Sequence, residues 1–364
     1  MTSTFTFDSL EAAEAAFEFE TDDYVYTRGN NPTLKILEDK MAELENGAGG
    51  VAFASGMGAI SATLLSLLKP GDHILAHQIL YGSSYKLINE WLKDYNIAGN
   101  FVDFNDIDQL NKAINQDTKV LYLETPANPT LEVIDLEKIA KIARKNGCKL
   151  VVDNTFASPY LQNPLDHGAN IVVHSATKYL GGHGDLVGGI VVADSKDYAM
   201  NLKFNYLTEI GSVMSPFNAW LILRGMKTLK LRMEAAQKNA TKIVEFLQAH
   251  DQVKSVNYPG LKSDEAEEIF NKQMVGPGAM LSFELDTEVS KIREFVNNLE
   301  YFKLAVSLGD IESLIEYPFF MTHRDYSEEL LNKLGISKYL LRISVGLEDS
   351  NVLIEDLDSN LQKL

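Results

Sequence analysis

Lys178 follows two hydroxyl residues, Ser175 and Thr177, at the end of the apolar run Ile171–Val173. A loop with glycines at 181, 182, 184, 188 and 189 comes after it. A primary amine at the mouth of a buried strand needs either a partner or a chemical task. Neighbouring hydroxyls can hold a phosphate, and glycines let backbone approach a ligand closely. Together they suggest a lysine that forms an imine with a phosphorylated aldehyde, the pyridoxal phosphate arrangement.

Other segments carry residue types that suit the same chemistry. SGMGA (Ser55–Ala59) follows the apolar run VAFA and opens a helical stretch. Backbone N–H groups at this helix start, unobstructed by side chains at Gly56 and Gly58, would form an anion site, or Ser55 would simply cap the helix. A dinucleotide fingerprint fits poorly, because Ser61 stands at the third glycine position and no acid ends the next strand. Asp153 ends KLVVD, either as a turn acid or as a carboxylate facing a pyridine nitrogen. Asn128, in ETPANPT, either meets a ring oxygen or makes an Asx turn before Pro129. Tyr81, in LYGSSY, is either a core or rim residue or a ring that stacks on a cofactor and exchanges a proton. Arg342 sits within the apolar strand LLRISV and needs an anion, supplied by a structural acid or by a substrate carboxylate. The seven histidines show no metal spacing, and His174 and His183 read as loop or supporting residues. The single cysteine, Cys148, reads as a small buried hydrophobe.

These residues need a scaffold. The chain has 364 residues, 45% of them hydrophobic, enough for two domains of a globular enzyme. Its 33 basic and 51 acidic side chains give a net charge of −18, which argues against nucleic acid and anionic membranes. Neither a transmembrane run nor a signal-peptide pattern is present, so a cytoplasmic protein is expected. Residues 8–23 are acidic on an alanine-rich background and read as a solvated helix face. Apolar strands are expected at 50–54, 73–76, 120–123, 150–152, 171–173 and 189–192, with helices such as 136–145 between them. That grammar predicts an α/β fold with a mostly parallel sheet covered on both faces, and ligands outside its strand ends. After a long helical region at 217–249 the pattern changes to period two in LSFELD (281–286). Further strands are expected at 302–306 and 340–345, giving a smaller α+β C-terminal domain. The expected division is an arm at 1–30, a cofactor domain at 31–228 and a C-terminal domain at 229–364.

In this order, from TSTFTF through HSATKYLGGHGD to the C-terminal helix, the segments resemble the fold-type I pyridoxal phosphate enzymes of cysteine and methionine metabolism. The resemblance implies that Lys178 is the Schiff-base lysine and shuttles protons at Cα and Cβ. It implies that Gly56, Met57, Ser175 and Thr177 hold the phosphate, Asp153 pairs the ring nitrogen, Tyr81 stacks on the ring and Asn128 contacts its oxygen. Ser307 and Arg342 would bind an amino-acid substrate's carboxylate. YTRGNNPT resembles the family's arm, so Tyr26 and Arg28 would reach the phosphate of a neighbouring subunit in a homo-oligomer built of active dimers. Family members carry a further arm before the segment matching Thr2–Phe7, and this sequence begins at that segment. The implied reaction is carbon–sulfur bond cleavage in a sulfur amino acid. AVSLGDIESL with MTH resembles the methionine γ-lyase branch, whereas SPFNAW is closer to sulfhydrylases. Cystathionine cleavage and γ-replacement are the alternatives. Val306 stands where cystathionine enzymes usually place a glutamate, which favours an uncharged substrate side chain. Phe319 and Phe320 stand where small residues are usual and would narrow the pocket.

Overall fold

The computed structural model describes residues 2–261 and 263–364. Seven strands form the larger sheet: β1 (Gly49–Phe53), β2 (His73–His77), β3 (Ala98–Val102), β4 (Thr118–Glu124), β5 (Lys149–Asp153), β6 (Ile171–Ser175) and β7 (Gly189–Ala193). Their order is β1-β7-β6-β5-β4-β2-β3, with only β7 antiparallel to its neighbours. Side-chain alternation covers both faces. Val120, Tyr122, Val151, Ile171 and Val173 join one core cluster. Leu121, Leu123, Leu150 and Val152 join another, with the helix Leu136–Lys145. The mostly parallel α/β sheet expected from the apolar runs is therefore present.

Five strands form the smaller sheet: β8 (Val253–Asn257), β9 (Met280–Leu285), β10 (Lys303–Leu304), β11 (Leu314–Glu316) and β12 (Leu340–Ser344). The order is β10-β11-β12-β9-β8, antiparallel except for β10 with β11. The expected helix over 217–249 is two helices, Pro216–Met226 and Leu229–Gln248. The strand expected at 302–306 pairs only at Lys303–Leu304. Sequence reading missed β3, β8 and the three-residue β11, of which β3 and β8 share one cause. β3 and β8 lie at sheet edges, where half-exposed residues replace the continuous apolar run.

Three helices matter for the site. The first, α1 (Leu10–Phe17), is capped by Ser9 and buries only Ala16, in keeping with the solvated face expected of residues 8–23. Asn31 caps α2 (Pro32–Leu44), and Ser55 caps α3 (Gly56–Leu67). Parallel strands β4, β5 and β6 bring Glu124, Asp153 and Ser175 to one edge of the large sheet. Among the described residues, no helix is long and apolar enough to cross a membrane.

Candidate active site

At the start of α3, Ser55 Oγ accepts from Gly58 N at 3.0 Å. Gly56 N and Met57 N, in the first turn, have no intrahelical acceptor. Close packing sets this helix end against the sheet. A Cβ on Gly56 would lie 3.0 Å from that of Ser175, and one on Gly189 would lie 2.8 Å from Gly56 N. Thr177 Oγ1 accepts from Gly188 N at 3.0 Å, which closes the glycine loop around the hydroxyl. The helix start and the two hydroxyls thus border the same cavity, an arrangement that suits an anion.

Asp153 ends β5 in register beside Glu124 on β4. Thr155 donates to Asp153 Oδ1 from its backbone N (3.0 Å) and its hydroxyl (2.5 Å), and Thr155 Oγ1 also accepts from Ser175 N at 2.8 Å. Burial holds the Asp153 carboxyl above its ordinary range against these bonds. Burial, then the charge of Asp153, raises Glu124 further, although both Glu124 oxygens accept from Tyr81 N at 2.9 and 3.0 Å. An acid that is costly to ionise alone is stabilised as an anion by an opposing cation.

Lys178 borders the same cavity, and its Nζ donates to Ser307 Oγ at 3.0 Å. Burial first, then the guanidinium of Arg342, lowers the amine from 10.5 to about 8. Arg342 is buried on β12 and pairs with Glu316, its cross-strand partner on β11. It also donates to Asn128 Oδ1 at 2.8 Å and to the Ser307 carbonyl at 3.0 Å. Thr322 donates to the other oxygen of Glu316. A structural acid, one of the two anions expected for Arg342, thus meets it, and neither reading offered for the Asn128 side chain anticipates its bond to Arg342.

One cavity of about 350 Å³ is lined by Gly56, Met57, Tyr81, Asn128, Asp153, Ser175, Thr177, Lys178, Ser307 and Arg342, with Glu316, paired to Arg342, outside the lining. Tyr81 is 40% exposed at its mouth, and the apolar rim includes Val187 and Val306, 55% and 60% exposed. Tyr26 and Arg28 do not reach this cavity. They border a separate surface pocket with Thr2, Ser3 and Pro216, and Tyr26 is 46% exposed.

The model of the family described as Cys/Met metabolism PLP-dependent enzyme matches residues 1–362. The chain belongs to this family. It is 47% identical, over 365 residues, to an L-methionine gamma-lyase of Fusobacterium nucleatum subsp. polymorphum, covering 100% of this chain and 92% of that protein. It is 47% identical, over 341 residues, to a cystathionine beta-lyase of Lactococcus lactis subsp. cremoris, covering 94% and 89%. Its fold matches a cystathionine gamma synthase from Xanthomonas oryzae pv. oryzae in complex with aminoacrylate and cysteine. That match has a TM-score of 0.94 and 42% identity, over 100% of this chain and 91% of that one. A putative O-acetylhomoserine (thiol)-lyase of Campylobacter jejuni, solved with N'-pyridoxyl-lysine-5'-monophosphate, matches at a TM-score of 0.95 and 34% identity, over 99% and 94%.

As a member of this family the chain is a pyridoxal phosphate enzyme of fold type I, and the cavity fits that group. The α3 N-terminus and the 175/177 hydroxyls suit its phosphate, Asp153 suits a protonated ring nitrogen and Lys178 suits its aldehyde. Sequence reading missed Glu316 and Thr322 as site residues, because pairing of β11 with β12 depends on register that no local pattern in LIEY reveals. Phe319 and Phe320 do not line the cavity. Phe319 is buried with Lys338 Nζ 5.6 Å from its ring, and Phe320 lies beneath Arg293 at 5.2 Å, so the expected narrowing is not observed. Cys148 is buried, with its thiol on the Thr118 carbonyl at 3.3 Å and pushed up by burial, as a structural cysteine would be. Among the described residues, no group of three or more His, Cys, Asp or Glu side chains could hold a metal ion.

Proposed function

We propose that this protein is a pyridoxal phosphate-dependent carbon–sulfur lyase. It cleaves sulfur amino acids of the methionine and homocysteine type by γ-elimination, giving 2-oxobutanoate, ammonia and a thiol. When bound, pyridoxal phosphate supplies an electron-withdrawing ring that stabilises negative charge at the substrate α-carbon. Lys178, lowered to about 8, exchanges protons at Cα and Cβ near neutral pH. Arg342, braced by Glu316 and Asn128, binds the substrate carboxylate with Ser307. Asp153 holds the ring nitrogen, Tyr81 covers the ring, and Gly56, Met57, Ser175 and Thr177 hold the phosphate.

The observation that carries the choice of substrate is the rim. Val187 and Val306 border the outer cavity, which offers an uncharged thioether an apolar wall and a distal ammonium no counter-charge. The L-methionine gamma-lyases among the relatives support the same reading. A second reading, γ-replacement or cystathionine cleavage, has its support in the cystathionine gamma synthase and O-acetylhomoserine (thiol)-lyase likenesses. Incubation with methionine, homocysteine, cystathionine and O-acetylhomoserine, each with and without sulfide, separates the two. The lyase reading expects 2-oxobutanoate from methionine without added thiol, and fails if it forms only when a thiol is supplied.

We also assign residues 1–30 as an intersubunit arm, 31–228 as the cofactor domain and 229–364 as the C-terminal domain of a cytoplasmic homotetramer built of two active dimers. In that assembly Tyr26 and Arg28 complete the phosphate site of the neighbouring subunit. Their exposure, away from their own chain's cavity, supports this reading.

A further inference from the structure

Glu45, just past α2, is 0% exposed and has no part in the roles assigned above. Its Oε1 accepts from His174 Nε2 at 2.6 Å and from Asn154 Nδ2 at 3.0 Å. A carboxylate only accepts, so the proton of that first bond sits on His174 Nε2. Both donors are immediate chain neighbours of cavity residues. Asn154 follows Asp153 at the end of β5, and His174 precedes Ser175 at the end of β6. Consecutive residues of an extended chain face opposite sides, so Asp153 and Ser175 reach the cavity while Asn154 and His174 point beneath it. The clamp is itself braced. Asn154 N donates to the Val173 carbonyl at 2.9 Å, Gln162 Nε2 donates to Asn154 Oδ1 at 2.9 Å, and Gln273 Nε2 donates to Gln162 Oε1 at 2.9 Å.

We propose that Glu45 is a positioning residue for the cofactor. Its carboxylate ties the ends of β5 and β6 at one spacing, so that the Asp153 carboxyl and the Ser175 hydroxyl meet the two ends of a single rigid ligand. A buried carboxylate is costly to keep without such bonds, and two of its three side-chain partners, Asn154 and His174, lie at these strand ends, while Asn163 donates to Oε2 at 3.4 Å. If it merely fastened α2 to the sheet, its loss would lower stability but leave the bound cofactor's environment unchanged.

The inference rests on pyridoxal phosphate binding in the cavity. The test titrates cofactor-free wild type, Glu45→Gln and Asn154→Ala with pyridoxal 5′-phosphate, well below their melting temperatures, and records the visible spectrum at saturation. Loss of a hydrogen bond to a charged group predicts a dissociation constant raised about tenfold in each variant. The absorption band of the saturated variants should also be displaced from that of wild type. An unchanged dissociation constant in a folded variant, or a band superimposable on the wild-type band, overturns the proposal. So does failure of both variants to fold, which would make Glu45 a residue of the fold alone. Wild type that takes up no cofactor would instead fail the cofactor assignment itself.

Discussion

Lys178 is a half-buried amine whose side-chain nitrogen meets the Ser307 hydroxyl, and two measurements follow from that. Lys178→Ala should reduce turnover below detection, and borohydride treatment should no longer fix the cofactor to the protein by mass spectrometry. Retained turnover would falsify its assigned role. The second concerns the cofactor-free protein. The amine titrates near 8 in the fold against 10.5 when free. Between these values the unfolded chain holds a proton that the folded chain has released, so stability rises with pH across that window. Lys178→Met removes this titration. Its stability advantage over wild type should be largest below pH 8 and should shrink toward pH 10.5 in urea titrations at several pH values; a gap independent of pH would contradict the burial argument. Arg342 presents the opposite case, a buried cation with a fixed anion. Glu316→Ala leaves that cation unpaired and should cost about 3 kcal/mol by denaturant unfolding. A loss near zero would mean that water or another acid replaces the partner.

At the level of elements, the cradle depends on how α3 meets β6 and β7. Ser55 is its N-cap, and Ser55→Ala should cost about 1 kcal/mol in denaturant unfolding. Gly189 is the more sensitive position. A Cβ there would run into the backbone at Ser55 and Gly56, which bears the N–H groups proposed to hold the phosphate. Gly189→Ala should therefore push α3 outward and weaken cofactor binding in a spectroscopic titration by more than it lowers the melting temperature of the cofactor-free protein. Comparable affinity for pyridoxal phosphate in that variant would show that the α3 N-terminus does not hold the phosphate. The small sheet plays a different part. It carries Arg342 and Glu316 on paired strands and brings the guanidinium to the cavity wall.

The whole-molecule question is whether one chain makes one site. Tyr26 and Arg28 lie in a pocket apart from the cavity, which suits a site shared between subunits. Mixing inactive Arg28→Ala and Lys178→Ala subunits under conditions that exchange protomers tests this directly. Each mixed dimer would contain one site with both Lys178 and Arg28 intact, so activity should return. Continued inactivity after verified exchange would remove Arg28 from the neighbouring site. Sedimentation of the wild type should show a dimer or larger.

Much of this molecule was legible from its residues in order. The apolar runs of β4 to β7 are buried on both faces and so carry their own signal, and the residues at the ends of β4, β5 and β6 line the cavity. Local grammar also placed Lys178, Asp153 and the α3 turn, because strand ends and helix starts are set by neighbours in the chain. Edge strands β3 and β8 were not legible, since half of each faces solvent. Nor were the pairs that span long stretches of chain. Glu316 beside Arg342, Asn128 turned toward that guanidinium, and Glu45 beneath Asp153 and Ser175 all depend on register and packing between distant segments. Sequence patterns report which side chains favour burial, whereas only the folded chain decides which buried charges meet.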